Sequence, residues 1–171
     1  MSRNYLITGV AGTGKSSLAA ELRRRGYAAY DTEEGFSYYA KKQTGEPTVR
    51  PHEPTEEWYD QHHRIFDEKV LMNLLKKHSN EPLFICSITA NQAKFYPLFD
   101  KLFLLTSPNE VITHRLGTRT NNYFGRHPLD LARVIGRHQQ FDEELVADGA
   151  IAIDSTRPIQ AVADEIIAHT Q

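Results

Sequence analysis

A glycine-rich segment at residues 9–16 constrains the fold of this 171-residue chain more than any other feature. It reads Gly-Val-Ala-Gly-Thr-Gly-Lys-Ser and fills every fixed position of the phosphate-binding loop pattern G-x-x-x-x-G-K-[ST]. A short apolar segment at residues 5–8 precedes it, and a good helix-forming sequence follows from Ser17. This succession of strand, glycine loop and helix predicts an α/β fold with a phosphate-binding loop near its beginning.

The chemistry of such a loop indicates which of its residues touch phosphate. Glycines let successive backbone N–H groups turn toward phosphate oxygens, and the next helix adds the positive end of its dipole. We expect Lys15 to reach the β- and γ-phosphates of ATP and the Ser16 hydroxyl to ligate Mg²⁺. The predicted cofactor-binding residues of the loop are Gly9, Ala11, Gly12, Thr13, Gly14, Lys15, Ser16 and Ser17.

Composition limits the class of protein. The net charge of −2 shows no global bias toward nucleic acid or a membrane surface, so we expect partners of neither kind. No apolar run is long enough to span a bilayer, and the first residues lack the apolar core of a signal peptide. The single cysteine, Cys86, lies in an apolar segment and suits a reducing cytoplasm as a small buried side chain.

Five apolar segments separated by helical patterns predict a parallel sheet covered by helices on both faces, hence a three-layer single domain. The predicted helices include a long one from about residue 55 to 78, a short one at 91–99 broken at Pro97, and three that start at Pro108, Pro128 and Pro158. Residues 43–54 are predicted to form a long loop. The five predicted strands are residues 5–8, 27–30, 83–87, 102–106 and 151–153.

Arginines are concentrated between residues 115 and 137, where there is no lysine and only one acid, Asp130. Two helices carry them, joined by a polar connector at residues 120–127. Such an arrangement suits a lid that closes over polyphosphate, since guanidinium groups bind phosphate oxygens in two-point fashion. A solvated basic face is the alternative. The arginines of this lid region are Arg115, Arg119, Arg126, Arg133 and Arg137.

Polar residues follow two other predicted strands. Asp31 comes at a strand end, where a carboxylate could orient the Mg²⁺ hydration shell or accept a proton from an attacking hydroxyl. The alternative is that it caps a following helix. We expect Glu33 and Glu34 to act as helix-capping or surface residues. No acid follows the third predicted strand, which leaves Asp31 as the metal-side acid. After that third strand, Ser87, Asn91 and Gln92 either hydrogen-bond a substrate or cap the next helix.

Residues 35–80 are predicted to be a substrate-side insertion rich in aromatic side chains. These side chains either stack on a nucleobase or pack in the core. The adjacent His62 and His63 point apart on a helix, which argues against a shared metal site. The aromatic residues and histidines concerned are Phe36, Tyr38, Tyr39, Trp58, Tyr59, His62 and His63.

Together these motifs resemble the P-loop small-molecule kinases, the group of nucleoside monophosphate kinases, shikimate kinase and gluconate kinase. They are also similar to bacterial nucleoside-kinase-like P-loop ATPases. Residues 114–119 resemble the adenylate-kinase segment that enters the lid, which implies that Arg115 packs on adenine and Arg119 contacts phosphates. Residues 154–159 resemble the family's adenine loop and imply that Arg157 and Pro158 border the base.

The resemblance is extended by residues 31–33, which are similar to the Asp-x-Asp of shikimate kinase, and by Arg133 or Arg137, either of which matches the arginine after the lid. Two family segments are missing: the Asp-Gly-Phe-Pro-Arg of adenylate kinases and the triple glycine of shikimate kinases. The identity of the substrate therefore does not follow from either branch.

The resemblance implies a kinase that moves the γ-phosphoryl group of ATP to a small-molecule acceptor, as a monomer or homodimer. The implied catalytic residues are Lys15, Asp31, Arg119 and Arg126, with Ser16 and Asp31 on the metal. A nucleoside or nucleotide acceptor is favoured. A shikimate- or gluconate-type metabolite, with Arg50 or Arg64 as anion contact, is the alternative.

Two other functions rank lower. A nucleotide-dependent switch is disfavoured because the GTPase motifs Asp-x-x-Gly and Asn-Lys-x-Asp are absent from the sequence. A polynucleotide kinase ranks last because it needs a basic groove across its surface, whereas the net charge of this chain is −2.

Overall fold

The computed structural model describes residues 3–31, 34–120 and 122–171 of the chain. The expectations that concern Thr32, Glu33 and Asn121 lie outside these residues. In chain order the elements are β1 (Arg3–Thr8), α1 (Lys15–Arg24), β2 (Ala28–Asp31), β3 (Ser37–Lys41), β4 (Pro47–Thr48), α2 (Glu56–Gln61), β5 (His62–Phe66), α3 (Glu68–Lys77), β6 (Pro82–Cys86), a 3₁₀ helix (Gln92–Leu98), β7 (Lys101–Thr106), α4 (Asn109–Thr118), α5 (Pro128–Ala147), β8 (Ile151–Asp154) and α6 (Ile159–Ala168).

The main sheet has five parallel strands in the order β2-β6-β1-β7-β8, which confirms the predicted fold class. Its central strands are almost wholly buried, as expected for strands covered on both faces. Helices α1 and α6 pack on one face, through Leu18, Leu22 and Val162. Helix α3, the 3₁₀ helix and α5 cover the other face, and Leu71, Phe95 and Leu145 lie in that second layer of core.

The predicted long helix at residues 55–78 is wrong. Helix α2 ends at Gln61, an extended strand follows, and α3 starts anew after Asp67, whose carboxylate caps it by accepting from the Val70 N–H at 3.0 Å. The strand β5 forms because it pairs antiparallel with β3, from Ser37 opposite Phe66 to Lys41 opposite His62. Pairing with a distant strand overrides the local helical pattern.

A second, small antiparallel sheet therefore stands beside the main one, in the order β4-β3-β5. Its edge strand β4 falls within residues 43–54, where only a loop was predicted. The sheet is anchored to the core by Phe36 and Phe66, whose rings stack with centroids 5.9 Å apart and are almost fully buried. This anchoring holds the small sheet against the core of the main sheet.

The register of the main sheet brings the ends of its strands to one edge. Asp31, at the end of β2, lies opposite Cys86 of β6, and Ile7 of β1 lies opposite both Cys86 and Phe103. The glycine loop leaves the sheet at this same edge. It packs against the lid-bearing helices through a separate apolar cluster that joins Val10 to Ile112, Leu116 and Val134. In the part of the chain that the structure describes, no helix combines the length and apolar character needed to cross a bilayer.

Candidate nucleotide and acceptor site

A cavity of about 1040 Å³ opens at the carboxyl edge of the main sheet. The glycine loop, the helices α4 and α5, and the small sheet with α2 all contribute to its lining. Of the glycine-loop, metal-side, lid and adenine-loop residues predicted from sequence, those that line the cavity are Ala11, Gly12, Thr13, Gly14, Lys15, Ser16, Ser17, Asp31, Arg115, Arg119, Arg133, Arg137 and Arg157. One cavity thus brings together segments from the start, middle and end of the chain.

The loop has a backbone that glycine alone adopts without strain. Gly9 has φ of 150°, and a Cβ there would lie 2.7 Å from both the Leu105 carbonyl oxygen and Thr13 Oγ1. The Thr13 hydroxyl in turn donates to the Val10 carbonyl at 2.9 Å, across the loop. Close approach of β7 on one side and an internal hydrogen bond on the other hold the loop in a single shape.

Lys15 is folded across its own loop. Its Nζ donates to the Gly9 carbonyl oxygen at 2.5 Å and to the Val10 carbonyl oxygen at 3.0 Å. Burial lowers the pKa of the ammonium to about 8, and the carboxylate of Asp31 opposes that shift. The ammonium therefore stays mostly charged near neutral pH and lies at the mouth of the cradle.

Arg115 ties three parts of the site together. One guanidinium nitrogen donates to the Ser155 carbonyl at 2.7 Å, and the other approaches the Gly12 carbonyl at 3.4 Å and Ser107 Oγ at 3.3 Å. These bonds connect the lid helix α4 to the glycine loop and to the ends of β7 and β8. The side chain lies between the glycine loop and the segment before α6, and its packing on adenine stays a prediction.

The two arginines predicted to be catalytic occupy different positions. Arg119 lines the cavity, and its guanidinium donates to Asn122 Oδ1 at 2.8 Å and to the Phe124 carbonyl. Arg126 is not among the lining residues; it donates to the Arg119 carbonyl and lies over the Tyr123 ring, 5.1 Å from its centroid. Arg126 thus braces the connector, and its contact with phosphate stays a prediction.

The acid and hydroxyl predicted to serve Mg²⁺ both line the cavity. Ser16 lies in the first turn of α1, and Asp31 ends β2 on the Lys15 side. The backbone N–H of Asp31 donates to Glu34 at 2.5 Å, and Glu34 pairs with Arg23 at 2.6 Å, so Glu34 stabilises the turn. Among the described residues, no group of three or more His, Cys, Asp or Glu side chains could hold a metal by itself. One hydroxyl and one carboxylate fit Mg²⁺, which usually takes few protein ligands and completes its shell with phosphate and water oxygens.

Arg157 and Pro158 stand at the end of β8. Arg157 lines the cavity, donates to the Asp154 carbonyl at 3.2 Å and pairs with Glu165 of α6. Pro158 precedes α6 with φ of −51° and does not line the cavity. The base-bordering role of both residues stays a prediction, with Arg157 the better placed of the two.

The polar residues after β6 serve the fold. Asn91 accepts from the Phe66 N–H at 2.9 Å and donates to the Phe66 carbonyl at 3.4 Å, which clamps the end of β5. Gln92 accepts from Thr8 Oγ1 at 3.3 Å and from the Thr89 N–H at 3.1 Å. Neither residue lines the cavity, and the fully buried Ser87 does not line it either. The expected cap of the next helix is not formed by Asn91, whose side chain makes no capping hydrogen bond. Asn91 instead fixes the end of β5, and Gln92 connects β1 to the turn after β6.

The part of the lining that comes from the small sheet, α2 and the segments next to them is here called the far wall, and it was only partly anticipated. Tyr59 and Tyr39 line it, whereas Phe36 is buried in the core and Trp58 stacks on His62 at 4.6 Å. Lys42 was not predicted, because an exposed lysine after a strand carries no distinctive sequence signal. The residues of the far wall are Tyr39, Lys42, Arg50, Tyr59, His62, His63 and Arg64.

The family of the chain follows from a direct match. A family model described as an AAA domain matches residues 6–126, which is more than half of the chain and includes the glycine loop, the far wall and the entry to the lid. The chain belongs to this AAA-domain family. No curated protein matches it.

Solved structures of three kinases share the fold of this AAA-domain protein. A gluconokinase from Sinorhizobium meliloti 1021 is 17% identical with a TM-score of 0.55, over 98% of this chain and 90% of the other. A deoxyadenosine kinase from M. mycoides with bound dATP is 13% identical with a TM-score of 0.53, over 97% of this chain and 98% of the other. A sugar kinase from Janibacter sp. HTCC2649 is 18% identical with a TM-score of 0.57, over 98% of this chain and 94% of the other. The resemblance to P-loop small-molecule kinases is confirmed at the level of the fold.

Proposed function

We propose that the protein is an ATP-dependent phosphotransferase that moves the γ-phosphoryl group of ATP to a small-molecule acceptor. The observation that carries this proposal is one continuous cavity with two unlike ends. The glycine loop and Lys15 form a phosphate cradle at one end, and the aromatic and basic far wall lies opposite. A site with room for both a donor and an acceptor is what direct phosphoryl transfer requires.

ATP lies along the loop with its triphosphate under the lid. Backbone N–H groups from Gly12 to Ser16 surround the β- and γ-phosphates, and Lys15 binds the same oxygens. Arg115 borders the adenine and Arg119 closes over the transferring group. Ser16 would ligate a bound Mg²⁺ and Asp31 would orient its water shell, which leaves the Asp31 carboxylate free to act as a base; the ion would neutralise charge on the phosphate oxygens.

Transfer forms one bond and breaks another at the γ-phosphorus. The acceptor hydroxyl oxygen bonds to phosphorus, the bond to the β-phosphate oxygen breaks, and ADP leaves. Asp31 accepts the hydroxyl proton, since the other carboxylate on the described part of the cavity wall, Asp130, is already bound by three donors. Lys15 and Arg119 stabilise the charge that develops on the moving group. The lid excludes water, which would otherwise take the phosphoryl group.

The acceptor that we favour is a nucleoside or nucleotide. Tyr39 and Tyr59 offer flat faces on the far wall, and Lys42 and Arg137 favour an acceptor that carries negative charge. Arg50 is less suited to an anion, because its three nitrogens already donate to Tyr59, Pro51 and Asp130. A shikimate- or gluconate-type metabolite is the alternative, and the matched structures include both a deoxyadenosine kinase and a gluconokinase.

An acceptor screen tests the proposal. Nucleosides, nucleoside monophosphates and hydroxy acids are each mixed with ATP, Mg²⁺ and protein, and ADP release is recorded. We expect ADP release to depend on the acceptor and to fall at least about a hundredfold in Lys15→Ala. Lys94→Ala, at an exposed surface ion pair, is the matched control and should match the wild type. Near-normal turnover in Lys15→Ala would refute the proposal. Nucleotide binding without acceptor-dependent ADP release would instead favour the second alternative, a non-enzymatic switch.

We further propose that the protein works in the cytoplasm on small molecules, with neither nucleic acid nor membrane as partner, and as a monomer or homodimer. The buried thiol of Cys86, whose pKa is raised by burial, suits a reducing compartment. Analytical ultracentrifugation with and without ATP distinguishes the two oligomeric states.

A further inference from the structure

Asp130 is a buried carboxylate at the base of the lid region. It belongs to the first turn of α5, has no exposed surface and faces the cavity. Its oxygens accept three hydrogen bonds: from the Tyr59 hydroxyl at 2.5 Å, from an Arg50 nitrogen at 2.5 Å and from the Gly125 N–H at 3.1 Å. The donors come from three different segments of the chain.

Two of these donors belong to the far wall and are also joined to each other. Nε of Arg50 donates to the Tyr59 hydroxyl oxygen at 3.1 Å, so the two side chains and Asp130 form a closed triangle. Burial and the Asp130 carboxylate raise the pKa of Tyr59, which keeps its hydroxyl a donor at all ordinary pH values. Charged hydrogen bonds at a buried position hold their partners tightly, because a broken bond leaves an unpaired buried charge.

The third donor, the Gly125 N–H, lies next to the backbone group that binds Arg119, the arginine assigned to the phosphates. Gly125 follows Phe124, whose carbonyl accepts from Arg119. Asn122 Oδ1 accepts from both the Phe124 N–H at 2.7 Å and Arg119 at 2.8 Å. Gly125 has φ of 87°, and a Cβ there would lie 2.8 Å from a Leu116 methyl group, so this turn has little room to shift.

Aromatic contacts reinforce the same path. The Phe124 ring lies near two guanidinium groups, that of Arg50 at 5.4 Å and that of Arg119 at 6.0 Å from its centroid. An arginine of the far wall and an arginine of the lid therefore share one ring. A displacement of Arg50 or Arg119 therefore moves the other, both through the shared Phe124 ring and through the hydrogen bonds to Asp130.

We propose that Asp130 is a positioning residue that couples the far wall to Arg119. This rests on the proposed function, since it assigns Arg119 to the donor phosphates and the far wall to the acceptor. When Arg119 closes over the triphosphate, it displaces the Phe124–Gly125 turn to which it is hydrogen-bonded. The turn is hydrogen-bonded to Asp130, and Asp130 to Arg50 and Tyr59, so the displacement reaches the far wall. The acceptor side thereby becomes ordered when ATP is bound, before an acceptor arrives.

A second contact between the same helices serves as an internal comparison. Arg133 of α5 pairs with Glu56 of α2 at 2.5 Å, but the Glu56 side chain is 62% exposed. Exposed pairs of this kind contribute little, about 0–1 kcal/mol, and are screened by salt. Arg133 also lies over the Tyr59 ring, 4.6 Å from its centroid, and Glu56→Gln leaves Arg133 in place, so that variant removes the exposed ion pair alone. The coupling is assigned to the buried triangle.

The single tryptophan, Trp58, reports on the coupling. Its ring centroid lies 5.2 Å from that of Tyr59, yet it does not line the cavity. Fluorescence of Trp58 is recorded while a non-hydrolysable ATP analogue and Mg²⁺ are added, and binding is measured separately by calorimetry. We expect a saturable fluorescence change in the wild type although the analogue does not touch Trp58.

Three variants test the assignment. In Asp130→Asn the analogue still binds, but the fluorescence change falls to about half or less of the wild-type amplitude. Tyr59→Phe keeps the ring, removes one bond of the triangle and should show a partial loss, which covers the case that Asp130→Asn does not fold. Glu56→Gln should keep the wild-type amplitude.

The outcomes separate this inference from the proposed function. An analogue that does not bind the wild type would refute the nucleotide site and with it the coupling. An analogue that binds would overturn the coupling alone in either of two cases: no fluorescence change in the wild type, or an equal change in the wild type, Asp130→Asn and Tyr59→Phe. An equal loss in Glu56→Gln would overturn the assignment to Asp130.

Discussion

The ammonium of Lys15 lies 2.5 Å from the carbonyl oxygen of Gly9, so the lysine near the end of the glycine loop is hydrogen-bonded to the first glycine. The contact closes the loop on itself and, with the bond to the Val10 carbonyl, holds the charge against the backbone. Because the site is buried, the pKa of this lysine is lowered to about 8, and its charge becomes sensitive to pH in an accessible range.

Nucleotide affinity should therefore depend on pH in a specific direction. Bound phosphates favour the charged lysine, so its pKa is higher in the complex than in the free protein, and binding weakens as pH rises above about 8. We expect the Kd of an ATP analogue to rise by up to about tenfold per pH unit above that value, measured by calorimetry. Lys15→Arg stays charged throughout and should show a flat profile, whatever its absolute affinity. An equal slope in this variant would contradict the assignment.

The same lowered pKa predicts an effect on stability. The unfolded chain holds the Lys15 proton up to its usual value of 10.5, whereas the folded chain releases it at about 8. Charged Lys15 thus destabilises the fold below about 8, and the penalty disappears as pH rises through the interval between the two values. We expect Lys15→Met to raise the free energy of unfolding by about 1–2 kcal/mol at neutral pH.

Urea denaturation at several pH values measures this effect. The gain in Lys15→Met should shrink toward zero near pH 10.5. Lys94→Met, at a side chain that is 62% exposed, should leave stability unchanged at every pH. A constant gain across the pH range would show that the cause is apolar packing by Met and not the charge of the lysine.

Two glycines should respond to alanine in opposite ways. In Gly9→Ala the new Cβ would meet the Leu105 carbonyl oxygen at 2.7 Å, so we expect a loss of about 2–3 kcal/mol and loss of nucleotide binding. Gly136 lies within α5, where a Cβ would have no neighbouring atom within 4 Å, and Gly136→Ala should stabilise by about 0.5–1 kcal/mol. Thermal unfolding measures both, and a destabilised Gly136→Ala would contradict this comparison.

Asn91 should matter for stability and not for turnover. Asn91→Ala removes both hydrogen bonds to the Phe66 backbone at the end of β5, and we expect a loss of about 1–3 kcal/mol. Turnover per folded molecule should stay close to that of the wild type, because the side chain does not line the cavity. The exposed Asn80 provides the control, with Asn80→Ala expected within about 0.5 kcal/mol of the wild type. A large loss of turnover in folded Asn91→Ala would instead assign it to substrate.

The main sheet could be predicted because its strands are continuous apolar runs between helical patterns. Residues 62–66 could not, since the sequence His-His-Arg-Ile-Phe has no marked strand character and follows a well-formed helix start at Thr55. It becomes a strand because β3 supplies backbone partners. Pairing between residues some 25 positions apart leaves no trace in a local periodicity.

The site also has a part that the sequence predicts and a part that only the tertiary structure determines. The glycine loop is a local structure, in which consecutive residues from Gly9 to Ser16 determine the backbone path, so the sequence by itself predicted its position between β1 and α1. The binding of phosphate by its residues stays a prediction. The far wall, the bracing role of Arg126 and the triangle of Asp130, Arg50 and Tyr59 were decided by the tertiary structure. Asp130 appeared in the sequence only as the lone acid among arginines. Its role depends on donors 71 and 80 positions away, which come within 2.5 Å only when the chain is folded.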